Sequence, residues 1–407
     1  MPGPFVVVGA NLTGGAAVTT LREEGYDGRV VLIGEEPHPP YERPPLSKEY
    51  LRGEDQAARL FLHPMSWYEE NGVELMLGTR AVRIDPDRRV VELSSGGGVD
   101  YEAVLVATGG RNRALPVPGR DLENVLSLRT IEDADRIRRV AVAGQTAVVV
   151  GAGFIGSEVT ASLRTMGVEV DVVEVLEAPL LRVLGPELAA VYEAIHRDHG
   201  VRFHLGQGVA RFEGTSGVEA VVTDAGERVE CDFVVVGVGI EPATEVVTAT
   251  DVTLDDGIVV DPVSRTNVPG IFAAGDVANH VHPLFARRLR VEHWDNALKQ
   301  GAAAARSMMG RGEAFTDPHW FWSDQYEHNL QVAGVAQSWD RMVLRGSLES
   351  RSFVAFSVDE AGILRAAAGL DRGKDVRRAM KLISAKARPD PERLADEDVD
   401  LRTLTPR

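Results

Sequence analysis

The sequence is poor in cysteine, with a single one, Cys231, among its 407 residues. One thiol excludes an intrachain disulfide, a zinc site made of thiolates and a redox-active dithiol. Cys231 leads into an apolar run at residues 233–238, which favours a buried structural thiol over a nucleophile. We expect no metal site.

The sequence is also short of positive charge. Its 44 Lys and Arg residues face 61 Asp and Glu residues, for a formal net charge of -17. Such a surface repels nucleic acid and anionic lipid, so neither is expected as a partner. Uninterrupted apolar stretches stay short of the roughly 18 residues that span a bilayer, and the start of the chain lacks the pattern of a secretory signal. We therefore expect a cytoplasmic protein without membrane contact.

One organisational unit occurs twice in the sequence. In each copy an apolar strand leads into a glycine-rich turn, a helix and a second apolar strand that ends in a glutamate. The first copy has its strand at 5–8, its turn at 9–14, its helix at 15–24 and its acid at Glu35, and the second has them at 147–150, 151–156, 157–166 and Glu174. This order is typical of the βαβ unit that binds a dinucleotide.

Each position of the turn has a physical role. The first glycine, Gly9 or Gly151, permits the tight turn, and the third, Gly14 or Gly156, lets the helix pack closely on the strand. Glycine at the second position, Gly153, lets a pyrophosphate approach the backbone at the positive end of the helix dipole.

The glutamates Glu35 and Glu174 would accept hydrogen bonds from ribose hydroxyls. Two glycine turns in an ordinary α/β protein are the alternative reading, but that reading leaves the paired acids unexplained. The first copy departs from the pattern because Asn11 stands at the second position, where its side chain would loosen or reposition the first cofactor. We predict a dinucleotide at each turn.

Turn and linker residues divide the chain. We predict an α/β protein with two Rossmann-like, glutathione reductase-like domains and a C-terminal α+β domain. The predicted boundaries are 1–112 and 241–319 for the first domain, 113–240 for the second and 320–407 for the third. In the third we expect strands at 331–335, 341–344 and 352–358 and one helix near 376–386.

Longer motifs make the chain resemble a known family. They are PYERPPLSK at 40–48, ATG at 107–109, AGDVA at 274–278, RVEHWDNA at 290–297 and FWSDQ at 321–325. Together with the two glycine turns, they are similar to the putidaredoxin reductase-like ferredoxin reductases of bacterial oxygenase systems, which have the pyridine nucleotide-disulfide oxidoreductase fold. The resemblance covers nearly the whole chain.

The resemblance implies an FAD site in the first domain. It would place FAD against Gly9, Asn11, Gly14, Glu35, Thr108 and Gly109. Asp276 would bond the ribityl hydroxyls, and the helix that starts near Trp294 would aim backbone N–H groups at the pyrimidine end of the flavin. Arg43 and Lys48 would lie near the flavin, with Lys48 beside its N5 edge, where a cation stabilises the reduced ring.

The resemblance also implies an NADH site in the second domain, at Gly151, Gly153, Gly156, Glu174 and Gly239. Glu158 would lie near the nicotinamide, pair with Lys48 and position the carboxamide, and Trp322 would close one side of the isoalloxazine. Lys48, Glu158 and Trp322 are thus the catalytic candidates.

Each of these roles has a plainer alternative. Arg43 and Lys48 could be solvated loop charges, Trp322 a core aromatic, and Glu158 an acid that complements the helix dipole.

NADH is the expected electron donor. The 2′-phosphate of NADPH would face Glu174 and Glu177, with no arginine before Arg182, and like charges at such distances lower affinity.

The expected function is electron transfer from NADH through FAD to a small iron–sulfur ferredoxin that feeds a terminal oxygenase. Disulfide reductases of this fold need a cysteine beside the flavin, and residues 39–48 contain none. We expect the ferredoxin to dock at Arg287, Arg288 and Arg290. Arg372, Lys374, Arg377 and Arg378 are either an extension of that surface or an ordinary solvated charge run. The alternatives are a redox-sensing protein resembling apoptosis-inducing factor and a monodehydroascorbate-type reductase.

Overall fold

The computed structural model describes residues 3–336 and 341–404, and the chain divides into two compact units. The first unit comprises Met1–Glu42, Ala57–Arg111 and Ile240–His319, and the second comprises Arg43–Gln56, Asn112–Gly239 and Trp320–Arg407. In the described part of the chain, no helix is both long enough and apolar enough to cross a membrane.

The first unit is built on a five-stranded parallel sheet. Its strands, in spatial order, are Ile271–Ala273, Ala103–Val106, Phe5–Val8, Val30–Ile33 and Val73–Met76. Phe5 lies opposite both Val30 and Ala103, so the strand order reverses at the first strand. In an open α/β sheet, ligands bind at such a reversal, beyond the carboxyl ends of the strands.

The helix Leu12–Glu23 follows the first glycine turn and packs on the helix Trp294–Met308. The packing is close, because a Cβ on Gly301 would lie 2.4 Å from the backbone oxygen of Thr13. The other elements of this unit are the helices Ala57–Leu60 and Met65–Glu70, the 3-10 turns Glu245–Val247 and Gly275–Val277, and the strands Ala81–Asp85, Val90–Leu93, Gly98–Asp100, Ile240–Pro242, Ile258–Val260, Ala278–His282 and Arg287–Arg290.

The second unit contains a matching five-stranded parallel sheet. Its strands, in spatial order, are Arg202–Leu205, Glu169–Glu174, Thr146–Val150, Phe233–Val236 and Val125–Ser127. The order again reverses beside the strand that leads into the glycine turn. The other elements of this unit are the helices Ile131–Val140, Phe154–Thr165 and Leu181–Asp198, the strands Val209–Glu213, Ala220–Thr223 and Arg228–Glu230, and the 3-10 turn Pro44–Ser47. The short strand Gly110–Asn112, whose first two residues belong to the first unit, pairs with Ile240–Pro242.

The C-terminal part of the second unit is a five-stranded antiparallel sheet. Its strands, in spatial order, are Trp320–Gln325, His328–Gly334, Leu364–Leu370, Ser352–Val358 and Met342–Ser347, and they are followed by Gly373–Ser384, Pro391–Ala395 and Leu401–Leu404. The helix Gly373–Ser384 packs on two of these strands, which gives the α+β arrangement expected.

The two units divide the chain differently from the predicted domains. The segment Arg43–Gln56 groups with the second unit, and so does the C-terminal sheet. The segment is held there by polar contacts: the Ser162 hydroxyl donates to the backbone oxygen of Ser47 at 2.6 Å, and the side chains of Ser47 and Lys48 contact the same helix.

Cys231 lies in the core of the second unit, packed among valines such as Val221 and Val234. Burial raises the pKa of its thiol to about 12. The thiol is therefore protonated at neutral pH and poorly nucleophilic, as expected of a structural residue.

Candidate functional site

The first glycine turn leaves no room for other residues at two positions. Gly9 has a φ of 121°, and a Cβ there would lie 2.2 Å from the backbone oxygen of Ala107. A Cβ on Gly14 would lie 2.0 Å from the backbone oxygen of Gly9. Both glycines are therefore required by close approach of the backbone.

Asn11 acts as the N-cap of the following helix. Its side-chain oxygen accepts hydrogen bonds from the backbone N–H groups of Thr13 at 3.0 Å and Gly14 at 3.3 Å. Its amide nitrogen donates to the backbone oxygen of Ala107 at 2.5 Å. Because Asn11 caps the helix, the helix begins at Leu12 rather than at residue 15 as predicted. Asn11 has an ordinary extended φ of -123°.

The acid of the first copy is exposed. Glu35 lies beyond the second strand and pairs with Arg111 at 3.2 Å, and Arg111 also pairs with Glu245 at 3.1 Å. Thr108 donates from its hydroxyl to the backbone oxygen of Ala243 at 2.6 Å, and Gly109 has a φ of 67°. A ribose at Glu35 would thus bind a carboxylate that already pairs with Arg111. The sequence did not indicate this ion pair.

Asp276 and Trp294 lie in the same unit. Asp276 is in the 3-10 turn Gly275–Val277, and the backbone N–H of Gly275 donates to the side-chain oxygen of Gln300 at 2.8 Å. The helix Trp294–Met308 begins after His293, which does not cap it through its side chain. Its first backbone N–H groups are therefore suited to an acceptor such as the flavin pyrimidine.

The second glycine turn opens on a cavity. The cavity has a volume of about 280 Å³, and the residues that line it include Gly151, Gly153, Glu174, Gly239 and Arg182. A Cβ on Gly156 would lie 2.0 Å from the backbone oxygen of Gly151, whereas a Cβ on Gly153 would meet no protein atom within 4 Å. Packing within the protein therefore does not require glycine at 153, but a pyrophosphate lying against the backbone there would. The residues of both turns thus fit dinucleotides.

Glu174 is buried, unlike Glu35. Its carboxylate accepts hydrogen bonds from the backbone N–H groups of Ala152 at 2.6 Å and Leu176 at 2.9 Å. Glu177 is exposed and does not line the cavity. Of the two acids expected to oppose a 2′-phosphate, only Glu174 therefore faces the cavity, and Arg182 lines it as well.

Lys48 and Glu158 form the ion pair that the resemblance implied. Their side chains are 5% and 4% exposed, and the Lys48 Nζ lies 2.7 Å from a carboxylate oxygen of Glu158. The hydroxyl of Ser47 donates to the same carboxylate at 2.5 Å, and that of Ser323 donates to its other oxygen at 2.7 Å. A buried ion pair is retained only where further hydrogen bonds satisfy it, and these two serines supply them.

Ser47 and Ser323 were missed as site residues, although both stand in the motifs at 40–48 and 321–325. Arg43 donates to the backbone oxygen of Arg129, so it is not a freely solvated loop charge. Trp322 is half-buried and stacks on Trp320, with ring centroids 5.2 Å apart.

The three arginines of the expected docking surface are not equivalent. Arg288 is exposed and Arg287 is half-buried. Arg290 is only 10% exposed and pairs with Asp256 at 3.1 Å and Glu292 at 2.6 Å. Its charge is already compensated, which argues against a docking role for Arg290. In the expected extension, Arg372 and Arg378 are likewise paired, with Glu397 and Asp375.

Comparison with known proteins assigns the family. Residues 3–301 match the family described as pyridine nucleotide-disulphide oxidoreductase. The chain belongs to this family. Residues 320–405 match a second family, described as reductase C-terminal, which covers the antiparallel sheet and its helices.

Relatives of known name extend over the whole chain. Rhodocoxin reductase of Rhodococcus erythropolis is 36% identical and covers 99% of this chain and 94% of its own. The anthranilate 1,2-dioxygenase system ferredoxin–NAD(+) reductase component of Burkholderia cepacia is 37% identical, and the match covers 98% of this chain and 99% of the relative. The crystal structure of the covalent putidaredoxin reductase–putidaredoxin complex contains a chain that is 34% identical to this one and superposes on it with a TM-score of 0.96. The match covers 99% of this chain and 98% of that chain. The predicted resemblance and fold class are confirmed.

Proposed function

We propose that this protein is an NADH-dependent, FAD-containing reductase that delivers electrons to a small iron–sulfur ferredoxin, which in turn feeds a terminal oxygenase. Its relatives named above include a ferredoxin–NAD(+) reductase component of a dioxygenase system and a reductase crystallised with its partner putidaredoxin. The observation that carries the proposal is the buried Lys48–Glu158 pair, which stands in a chain with no cysteine that could relay electrons.

FAD would be held by the first unit, and when bound it supplies the ability to accept two electrons together as a hydride and to release them one at a time. The residues proposed to hold it are those at the first glycine turn, Glu35, Thr108, Gly109 and Asp276, and the start of the helix at Trp294. The features that support this are the exposed Glu35 and the helix start after His293, whose side chain makes no capping hydrogen bond.

NADH would lie in the cavity at the second glycine turn. Gly153 leaves space for the pyrophosphate, and Glu174 presents a carboxylate whose position is fixed by two backbone N–H groups. A carboxylate held in this way accepts ribose hydroxyls and repels a 2′-phosphate. Arg182 reduces that discrimination because it lines the same cavity.

Lys48 and Glu158 are proposed to set the geometry of hydride transfer. Glu158 is held from three sides, by Lys48, Ser47 and Ser323, so its carboxylate is oriented before substrate arrives. Such preorganisation is what a site needs to align a nicotinamide carboxamide. We assign Trp322 to cover one face of the flavin.

The test is spectroscopic. Purified protein should carry a flavin spectrum that anaerobic NADH bleaches in a stopped-flow experiment, and an added ferredoxin should be reduced with multiple turnovers. Protein that stays colourless after incubation with FAD would contradict the proposal. A flavin that NADH bleaches but that turns over no ferredoxin would instead favour a redox-sensing protein resembling apoptosis-inducing factor.

The ferredoxin is proposed to dock at Arg287 and Arg288. Both lie on the strand Arg287–Arg290, and neither belongs to the Lys48–Glu158 cluster. Acidic carriers are attracted by positive surface charge, which mainly raises the association rate. On a chain with a net charge of -17, an uncompensated positive patch would be a distinct feature.

Charge reversal tests the docking surface. The double variant Arg287→Glu, Arg288→Glu should lower ferredoxin reduction by roughly tenfold and weaken its salt dependence, while ferricyanide reduction is spared. Arg265→Glu, an exposed arginine elsewhere in the first unit, serves as the matched control. If ferricyanide reduction falls as far as ferredoxin reduction, the two arginines are structural rather than docking residues.

A further inference from the structure

Three histidines of the first unit converge in its interior. His280 and His282 are two residues apart on the strand Ala278–His282, so their side chains leave the same face of the strand. His319 comes from the segment that ends this unit. One ring nitrogen from each of the three lies within 4.8 Å of the others, and the three residues are 1%, 0% and 3% exposed.

The ring nitrogens of His280 and His319 lack hydrogen-bond partners among the described residues. Both nitrogens of each ring are buried and unpaired. Buried polar atoms are normally paired, because leaving one unpaired costs about 1–3 kcal/mol. Each neutral ring has one N–H and one lone pair, so the two rings present two buried lone pairs that a metal ion would satisfy.

His282 is oriented as a metal ligand would be. Its Nε2 lies 2.9 Å from the backbone oxygen of Asp317, which can only accept, so Nε2 carries the proton. Nδ1 consequently carries the lone pair, which accepts a long hydrogen bond of 3.2 Å from the backbone N–H of Leu284, and a bound metal would replace that bond. A ligating histidine commonly donates its other N–H to a backbone carbonyl in this way, which fixes its tautomer and ring orientation.

We propose that His280, His282 and His319 bind a divalent first-row transition-metal ion of the kind that prefers imidazole, with Zn²⁺ as its representative. Three imidazoles are a known ligand set for Zn²⁺, with a fourth position left for water. A Zn–N distance of about 2.1 Å places tetrahedral ligand nitrogens about 3.4 Å apart, so the widest pair here has to close by at most roughly 1.4 Å.

The surroundings favour a structural role for the metal. Aromatic rings flank the cluster: Phe285 is centred 4.8 Å from the His282 ring, and Phe315 lies 5.9 Å from His280. Such walls exclude bulk water and substrate. The ion would tie the strand Ala278–His282 to the segment at His319 and thus stabilise the first unit. The metal proposal does not rest on the proposed flavin chemistry.

The test uses holoenzyme purified without a metal-affinity tag. After chelation and dialysis, calorimetric titration with Zn²⁺ should show a single high-affinity site per chain, and added Zn²⁺ should raise Tm by several degrees. With Co²⁺ in place of Zn²⁺, the protein should show ligand-field bands at wavelengths longer than the flavin absorption. This spectroscopic readout needs no variant, so it holds even where a core substitution fails to fold.

Two variants locate the site. His280→Phe and His319→Phe preserve an aromatic shape but remove a ligand, so each should weaken Zn²⁺ binding by at least about a hundredfold and abolish the Co²⁺ bands. His63→Gln, a change in the same unit that leaves the cluster intact, should bind Zn²⁺ as the wild type does. Zn²⁺ binding that survives both Phe variants, or wild-type protein that shows neither Zn²⁺ binding nor Co²⁺ bands, would overturn the proposal.

Discussion

The two glycine turns have the same arrangement of strand, turn and helix, but the helix that follows is capped differently in each. In the first, Asn11 caps its own helix and occupies two backbone N–H groups. In the second, Gly153 adds no side chain, and the space beside it is open. In the first turn, the protein's own side chain therefore accepts hydrogen bonds from the backbone N–H groups at the start of the helix. In the second turn no side chain caps the helix, so a ligand can take that place.

The glutamates of the two copies differ in their exposure and in the groups that they contact. Glu35 is exposed and shared with Arg111, whereas Glu174 is buried and fixed by two backbone N–H groups. The helix after the second turn carries Glu158 where the first has Ala16. The second copy therefore presents a fixed acid and open space to a dinucleotide, whereas the first copy has a shared acid and a capped helix.

The largest expected effect concerns Glu158. Glu158→Gln keeps the size of the side chain but leaves Lys48 without its counter-charge, so flavin reduction by NADH should slow by about a hundredfold. Stopped-flow absorbance measures this rate. Ser323→Ala removes one hydrogen bond to the same carboxylate and should have a clearly smaller effect. An unchanged rate in Glu158→Gln would show that the pair is only structural.

Exchanging the second position of the turn comes next. Gly153→Asn gives the second turn the residue of the first, and its side chain should cap the helix and stabilise the protein by a few tenths of a kcal/mol. The same side chain fills the space proposed for the pyrophosphate, so NADH affinity should fall by roughly thirtyfold. Thermal unfolding should show the gain in stability, and NADH titration should show the loss of affinity. Loss of both stability and affinity would point to general damage instead.

A smaller change is expected from charge reversal at the buried acid. Glu174→Arg should raise the ratio of NADPH to NADH kcat/KM by about tenfold, because a cation replaces the anion in the cavity. NADH use itself should also fall, since the backbone N–H groups of Ala152 and Leu176 lose their acceptor. Glu177→Arg is the matched control outside the cavity and should leave the ratio unchanged. A ratio that moves equally in both variants would contradict the ribose assignment.

The smallest effect is expected at the first turn. Asn11→Gly frees the N–H groups of Thr13 and Gly14 for a phosphate, so FAD should bind about threefold more tightly, while the helix loses its cap and a few tenths of a kcal/mol. Flavin release during dialysis reports the affinity. Weaker FAD retention would show instead that the Asn11 side chain contributes directly to the flavin site.

The parts of the fold that were predicted from sequence are those with strong local signals. Fully buried parallel strands appear as continuous apolar runs, and the glycine turns occupy fixed positions after them. The strand Leu364–Leu370 was missed, because Ala366, Ala367 and Ala368 have high helix propensity and only pairing with two neighbouring strands makes them a strand.

The site was predictable where a motif names it and not where distant segments meet. The pairing of Lys48 with Glu158 was predicted through the motifs, but the ion pair of Arg290 involves Asp256, which is remote in sequence. The histidine cluster likewise joins residues 280–282 to His319. No local pattern indicates such a meeting, because it arises from tertiary packing.

The shielded position of Cys231 has a practical consequence. With its thiol protonated and enclosed, a cysteine introduced on the surface would be the one readily alkylated by maleimide. Arg265→Cys, for example, would accept a single fluorophore or an electrode linker without prior removal of the native residue. The wild-type chain thus already serves as a background for site-directed labelling.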